Sequence, residues 1–293
     1  MDHLQWTSRP TLRAPVLVCA FRGWSDGGQA ASLAATFVRE SLGGERFCDI
    51  DPEEFYDFQE TRPTVRLEDG LVRRIDWPDN TATFSSLPGT ERDIVIMLGT
   101  EPQLRWRTFS QTVLELVSAM GIELVVTLGG LAADTPHTRP VPVTGTAEGD
   151  LGERLGLSRS SYEGPTGIVG VLHDALREAN VPSASLWAAV PHYISVSPNP
   201  KAALALLDRL GAMLETRFDT MELGQASVRF ERQVSSAVAS DDDVSSYVRD
   251  LERRADAGEE PLRDLPTGDE LAAELQKFLS DRSRDLGDGH DSE

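Results

Sequence analysis

LVVTLGGLAADTPHTRPVPV, residues 124–143, decides how the chain is read. It opens as a short, continuous, β-branched apolar run, the composition of a strand buried on both faces. It closes on Asp134, Pro136, His137, Arg139 and Pro140. A core strand that ends in an acid, a histidine and an arginine braced by prolines points to an open α/β sheet. In such sheets, ligands sit beyond the carboxyl ends of the strands.

Three more runs share that character: APVLVCAF (14–21), DIVIMLG (93–99) and SLWAAVP (185–191). Helical patterns lie between them. QAASLAATFVRESLGG (29–44) follows the first run and stops at Gly43 and Gly44. EPQLRWRTFSQTVLELVSAMG (101–121) stops at Gly121, and TGIVGVLHDALREANVP (166–182) precedes the last run. Strand alternating with helix predicts an α/β domain with a mainly parallel sheet. TVRLEDGLVRRIDWP (64–78) alternates about EDG, as a hairpin does, so an antiparallel excursion near 63–78 is expected to make the sheet mixed.

After about residue 200 the pattern becomes helical throughout. NPKAALALLDRLGAMLETRF starts on Asn199 as N-cap and Pro200 at the first helical position. TMELGQASVRFERQVSSAVA follows. DDDVSSYVRDLERRADAG has acids at its start, which suit the helix dipole, and a stripe of Val244, Tyr247, Val248 and Leu251. A fourth helix is expected in TGDELAAELQKFLSDR (267–282). The expected division is an αβα core over 1–200, a helical region over 201–282 and a disordered tail over 283–293.

The 293 residues are 40% hydrophobic, enough for one or two domains with a substantial core. With 48 acidic against 28 basic side chains, the net charge of −20 repels phosphate backbones and argues against nucleic-acid binding. No apolar run reaches membrane-spanning length, and MDHLQWTSRP has no signal-peptide character. The expectation is a cytoplasmic protein without a membrane partner. Cys19 and Cys48 form no CxxC pair, and Cys19 reads as a small buried hydrophobe.

Each buried run ends in polar residues: Arg22, Trp24 and Asp26; Glu101 with Arg105; Asp134, His137 and Arg139; His192 and Tyr193. If the strands are parallel, these meet on one rim. The candidate ligand-binding set is therefore Arg22, Asp26, Glu101, Asp134, His137, Arg139 and His192. RGWSDGG (22–28) before a helix could cradle an anion on free backbone N–H groups, or be a plain turn. Arg139 could hold a carboxylate or phosphate, or clamp Asp134 or Glu101. His137 and His192 could move a proton. The spacing of Asp134, His137 and His192 follows no metal-ligand pattern, so no metal and no cofactor is expected. YEGPTGIVGVL (162–172) is a tight turn or a second anion loop. No serine is read as the nucleophile of a GxSxG elbow, and no catalytic residue is assigned.

FRGWSDGGQAA, LGTEPQLRW, DTPHTRPVPV, YEGPTGIVGVL and VPHYISVSPNP, in this order, resemble the proteasome assembly chaperone family in its actinobacterial branch. The resemblance spans about residues 14–200. It implies a three-layer αβα fold like that of nucleoside phosphorylases, self-association as a trimer, and a role beside the 20S proteasome. Relatives that dock on the proteasome carry a hydrophobic–Tyr–any-residue motif at the C-terminus. This chain ends GHDSE, so docking by that route is not expected. Family members have been labelled ATP-dependent ligases, but no glycine-rich, lysine-bearing nucleotide loop is present. The leading expectation is a non-enzymatic, homo-oligomeric assembly factor. The alternative is an enzyme (hydrolase, phosphorylase-like or ligase) for a small anionic or nucleoside-like ligand at the rim, where Arg139 and Arg22 would hold the anion.

Overall fold

The structure is a computed structural model that describes residues 3–68, 72–147, 152–153, 157 and 163–259. The expected fourth C-terminal helix (267–282) and the tail (283–293) lie outside the described residues, as does the EDG turn apart from Glu68.

Among the described residues there are ten strands: β1 Leu4–Trp6, β2 Val16–Arg22, β3 Glu45–Ile50, β4 Thr64–Glu68, β5 Val72–Asp76, β6 Asn80–Ser86, β7 Asp93–Thr100, β8 Leu124–Ala133, β9 Val143–Ala147 and β10 Ser183–Pro191. The helices are α1 Ala30–Ser41, α2 Trp106–Met120, α3 Ile168–Glu178, α4 Pro200–Met213, α5 Met221–Val238 and α6 Asp242–Asp256. Eight strands form one sheet in the order β1-β3-β6-β7-β2-β8-β10-β9. The four strands read as buried, β7, β2, β8 and β10, are its parallel centre. Antiparallel β6, β3 and β1 extend one side and β9 closes the other.

The sheet is thus mixed, but not because of the hairpin. β4 and β5 pair only with each other, as a separate two-stranded ribbon. The strands that make it mixed carry polar residues, so they do not read as core. β6, NTATFSS, is mostly threonine and serine, yet Thr81 and Thr83 are buried in it.

Alternation along β2 builds the two cores. Val16, Val18 and Ala20 face α1 and α4, packing on Ala34, Val38, Leu206 and Leu210. Leu17, Cys19 and Phe21 face α2 and α3, packing on Phe109, Leu116, Ile168 and Leu172. Each fully buried Leu or Phe contributes about 2 kcal/mol. The result is a three-layer αβα fold. Asn199 caps α4 as its sequence implies, its side chain accepting from Ala202 N at 3.0 Å with Pro200 at the first position. This helix lies in the core layer, since Ala202, Ala203, Leu206 and Leu210 are fully buried. α5 packs on α4, and α6 follows it. α6 is capped by Asp241 and buries Val248 and Leu251. No helix among the described residues is long and apolar enough to cross a membrane.

Candidate functional site

Because the central strands are parallel, their carboxyl ends do open onto one rim. The candidate residues divide there into two clusters.

The first lies over β7, β2 and the starts of α1 and α3. The turn after β2 lies flat on β8: Asp26 bridges Gly130, and a Cβ on Gly27 would come within 2.8 Å of the Gly130 oxygen. This close approach requires glycine on both segments, Gly27 in the turn and Gly130 in β8. It delivers Asp26 to the head of α1, where Oδ1 accepts from Ala31 N at 2.9 Å and Ser32 N at 3.1 Å. Neither Gln29 nor Gly167, the residues that precede α1 and α3, caps its helix with a side chain. Glu101 caps α3: Oε1 accepts from Ile168 N at 2.8 Å and Oε2 from Trp24 N at 3.1 Å. A Cβ on Gly167 would approach Glu101 Oε1 to 2.6 Å, so a larger residue there would push the Glu101 carboxylate aside.

The starts of α1 and α3 are therefore filled by the chain's own carboxylates. In RGWSDGG and the Gly164–Gly167 loop, Asp26 and Glu101 already accept from the amides at the helix starts. Arg22 is exposed at the end of β2. Burial raises the Asp26 pKa, against the hydrogen bonds from Ser32 and Ala31 and the charge of Arg22.

Gly23-Trp24-Ser25-Asp26-Gly27 spells GxSxG between a strand and a helix, a match the sequence reading missed. It does not form a nucleophile elbow. Ser25 lacks the positive φ of that strained turn, its residue is 2% exposed, and its Oγ has no hydrogen-bond partner. No described histidine is hydrogen-bonded to Ser25 to activate it.

The second cluster joins the β8 and β10 ends to α5 and α6. Asp134 meets His192 Nδ1 at 3.2 Å and accepts from Tyr247 Oη at 3.2 Å. The Tyr193 hydroxyl accepts from His137 N at 2.8 Å and lies 2.7 Å from His137 Nδ1. His137 Nε2 lies 3.0 Å from Ser235 Oγ in α5. A neutral imidazole protonated on Nε2 satisfies all three contacts. Burial, and then the Lys201 charge, lowers the His137 pKa in the same sense. Lys201 itself donates to the His137 carbonyl and pairs with Glu231 of α5. His192, Tyr193 and Tyr247 stack edge to face.

Arg139 is a clamp, but not for Asp134 or Glu101. It grips Asp256 of α6 with two bonds of 2.7 and 2.8 Å, and reaches Glu252 at 3.4 Å. Hydrogen bonding to Arg139 lowers the Asp256 pKa and raises that of Arg139. The expected partners were strand-end acids. The actual ones are 113 and 117 residues further on, at a separation no local spacing reveals. Tyr247 belongs to the stripe of Val244, Tyr247, Val248 and Leu251 on α6, whereas Glu252 lies outside that stripe and is not singled out by it.

A cleft of about 220 Å³ lies beside Arg139, lined by Asp134, Pro136, Pro140, Arg254 and Asp256. Sites for drug-sized ligands run from about 300 to 1,000 Å³. Among the described residues no three His, Cys, Asp or Glu side chains are grouped to hold a metal ion; Asp134 meets His192, while His137 turns to Tyr193 and Ser235.

A family model described as the PAC2 family matches residues 20–238. The chain belongs to the PAC2 family. The match ends where α5 ends, so Arg139 lies within it while α6, with Glu252 and Asp256, lies beyond it. A PAC2 family protein of Streptomyces avermitilis is 46% identical, over 80% of this chain and 99% of its own, with a TM-score of 0.73. A proteasome-assembly chaperone homologue of Mycobacterium tuberculosis is 42% identical over the same shares, also with a TM-score of 0.73. An archaeal proteasome activator of Pyrococcus furiosus shares the fold at 19% identity and a TM-score of 0.63, over 81% of this chain and 99% of its own. No curated protein matches the chain.

Proposed function

We propose that this PAC2 protein is a non-enzymatic assembly factor that works in the cytoplasm as a homo-oligomer, a trimer, with 20S proteasome subunits as its partners. The observation that carries the non-enzymatic part is the filled rim. The amides of α1 and α3 that would orient an anionic substrate are bonded to Asp26 and Glu101. Of the candidate cations and histidines, His137 is bonded to α5 and Arg139 to α6, while His192 meets Asp134. What remains at the rim suits a protein partner better than a small molecule: Trp24 and Leu104 stand 59% and 46% exposed. The proteasome as partner is supported by the description of the 42% identical mycobacterial relative.

The test is size-exclusion chromatography of the full chain mixed with purified 20S α subunits from an actinobacterium. Co-elution is expected, and Trp24→Asp is expected to reduce it. Separate elution at tens of micromolar would overturn the proposed partner.

A further inference from the structure

Between β3 and β6 the chain leaves the main sheet and returns as the ribbon β4–β5. Its register puts Val65 opposite Ile75 and Leu67 opposite Arg73, so these four side chains share one face. The other face carries Thr64, Arg66, Glu68, Arg74 and Asp76 with the exposed Val72, and its charges are joined by ion pairs such as Arg66–Asp76 at 3.0 Å. The charged face is satisfied within the ribbon. The apolar face is not: Val65, Leu67 and Ile75 are 62%, 58% and 56% exposed. Trp77, two residues beyond Ile75, is 47% exposed, with its ring against Phe58 at the base of the ribbon. The two strands pack on each other and make no extensive contact with another helix or strand. A lone two-stranded hairpin is marginal in water, and its outer edges leave backbone groups unpaired.

We propose that β4–β5 is a self-association arm whose apolar face is covered by a second copy of this chain; this rests on the homo-oligomeric reading above. Charge selects the occupant. Residues 62–77 hold four arginines and three acids, inside a chain of net charge −20. Arg73 stands on the apolar face with no ion pair among the described residues. Its complement is an apolar surface bearing carboxylates, and the body of this chain is rich in them. An arm of this charge laid on another acidic body offsets the repulsion between copies. Size sets the arrangement. The exposed apolar face is on the order of a few hundred Å², below the roughly 800 Å² per partner of a stable interface. A ring in which each copy gives one arm and receives another doubles the contact per subunit.

The test is light scattering on the full chain at micromolar concentration, with the double variant Leu67→Lys/Ile75→Lys. Wild type is expected at a multiple of 32.0 kDa. The double variant is expected at the single-chain mass with an unchanged circular dichroism spectrum. Should the double variant fail to fold, Arg73→Glu decides, with an expected rise in the dissociation constant of at least tenfold. An oligomeric wild type whose deciding variant keeps the same mass and affinity overturns the arm and leaves the oligomer standing. A monomeric wild type overturns the homo-oligomeric reading itself, and the arm with it.

Discussion

The two halves of the rim use the same chemistry to opposite ends. Over β2 and β7, carboxylates point inward: Asp26 and Glu101 cap α1 and α3, which the core already holds from below. Over β8 and β10, cations and aromatics point outward and hold α5 and α6, of which α6 buries only Val248 and Leu251. Loss of a contact in the first half should therefore be felt by the whole domain. Loss in the second should release a helix and leave the sheet intact.

The largest expected effect is on pH dependence in the core. His173 of α3 lies between Thr127 Oγ1 at 2.8 Å and Ser183 Oγ at 3.0 Å, and burial pushes its pKa down to about 4. A folded-state pKa below the unfolded value near 6.5 makes the unfolded chain bind the extra proton. Stability is then full above pH 6.5 and falls as pH drops towards 4, by at most about 3 kcal/mol. Part of the residue stays accessible, which makes this a ceiling. Urea unfolding of wild type and His173→Gln at pH 7 and pH 5 measures it, and the variant should lose most of the difference.

Next comes Asp26. Asp26→Ala leaves two backbone donors at the head of α1 without their acceptor, at a cost of about 2 kcal/mol in denaturant unfolding. Asp26→Asn keeps the accepting oxygen and should stay within about 1 kcal/mol of wild type. If the two variants are equally destabilised, the carboxylate charge matters more than the cap, and the contrast between the halves weakens.

The smallest effect on the core belongs to Arg139. Its partner Asp256 is 58% exposed, so Arg139→Ala strands no buried charge. The melting temperature should move by no more than a few degrees. Limited proteolysis should nonetheless cut between α5 and α6 several times faster than in wild type. A cooperative loss of the whole fold would place Arg139 with the core half.

Much of this architecture can be read from the sequence where burial is continuous. β2, β7, β8 and β10 announce themselves because strands covered on both faces must be apolar throughout. The Asn199–Pro200 start of α4 is legible because capping is local. β3, β6 and β9 are not, since they mix Thr, Ser, Asn and charged residues into the strand, and in β6 even Asn80, Thr81 and Thr83 are buried. The hairpin at 64–76 is legible as a hairpin, but its detachment from the sheet is a tertiary fact without a local signature. The site divides in the same way. Glycines before helices mark Asp26 and the Gly167 loop, yet only the folded chain shows that Asp26 and Glu101 fill those helix starts. Ser25 shows the converse, a complete local motif that the fold does not use.

Calorimetric titration of inorganic phosphate, and separately of adenosine, into the wild-type chain tests the self-filled rim most directly. With Asp26 and Glu101 on the helix starts and Arg139 on Asp256, no saturable heat is expected up to millimolar concentrations of either compound. Saturable binding that disappears in Arg139→Ala or Arg22→Ala, with the fold intact, would contradict the account and make the rim a ligand site.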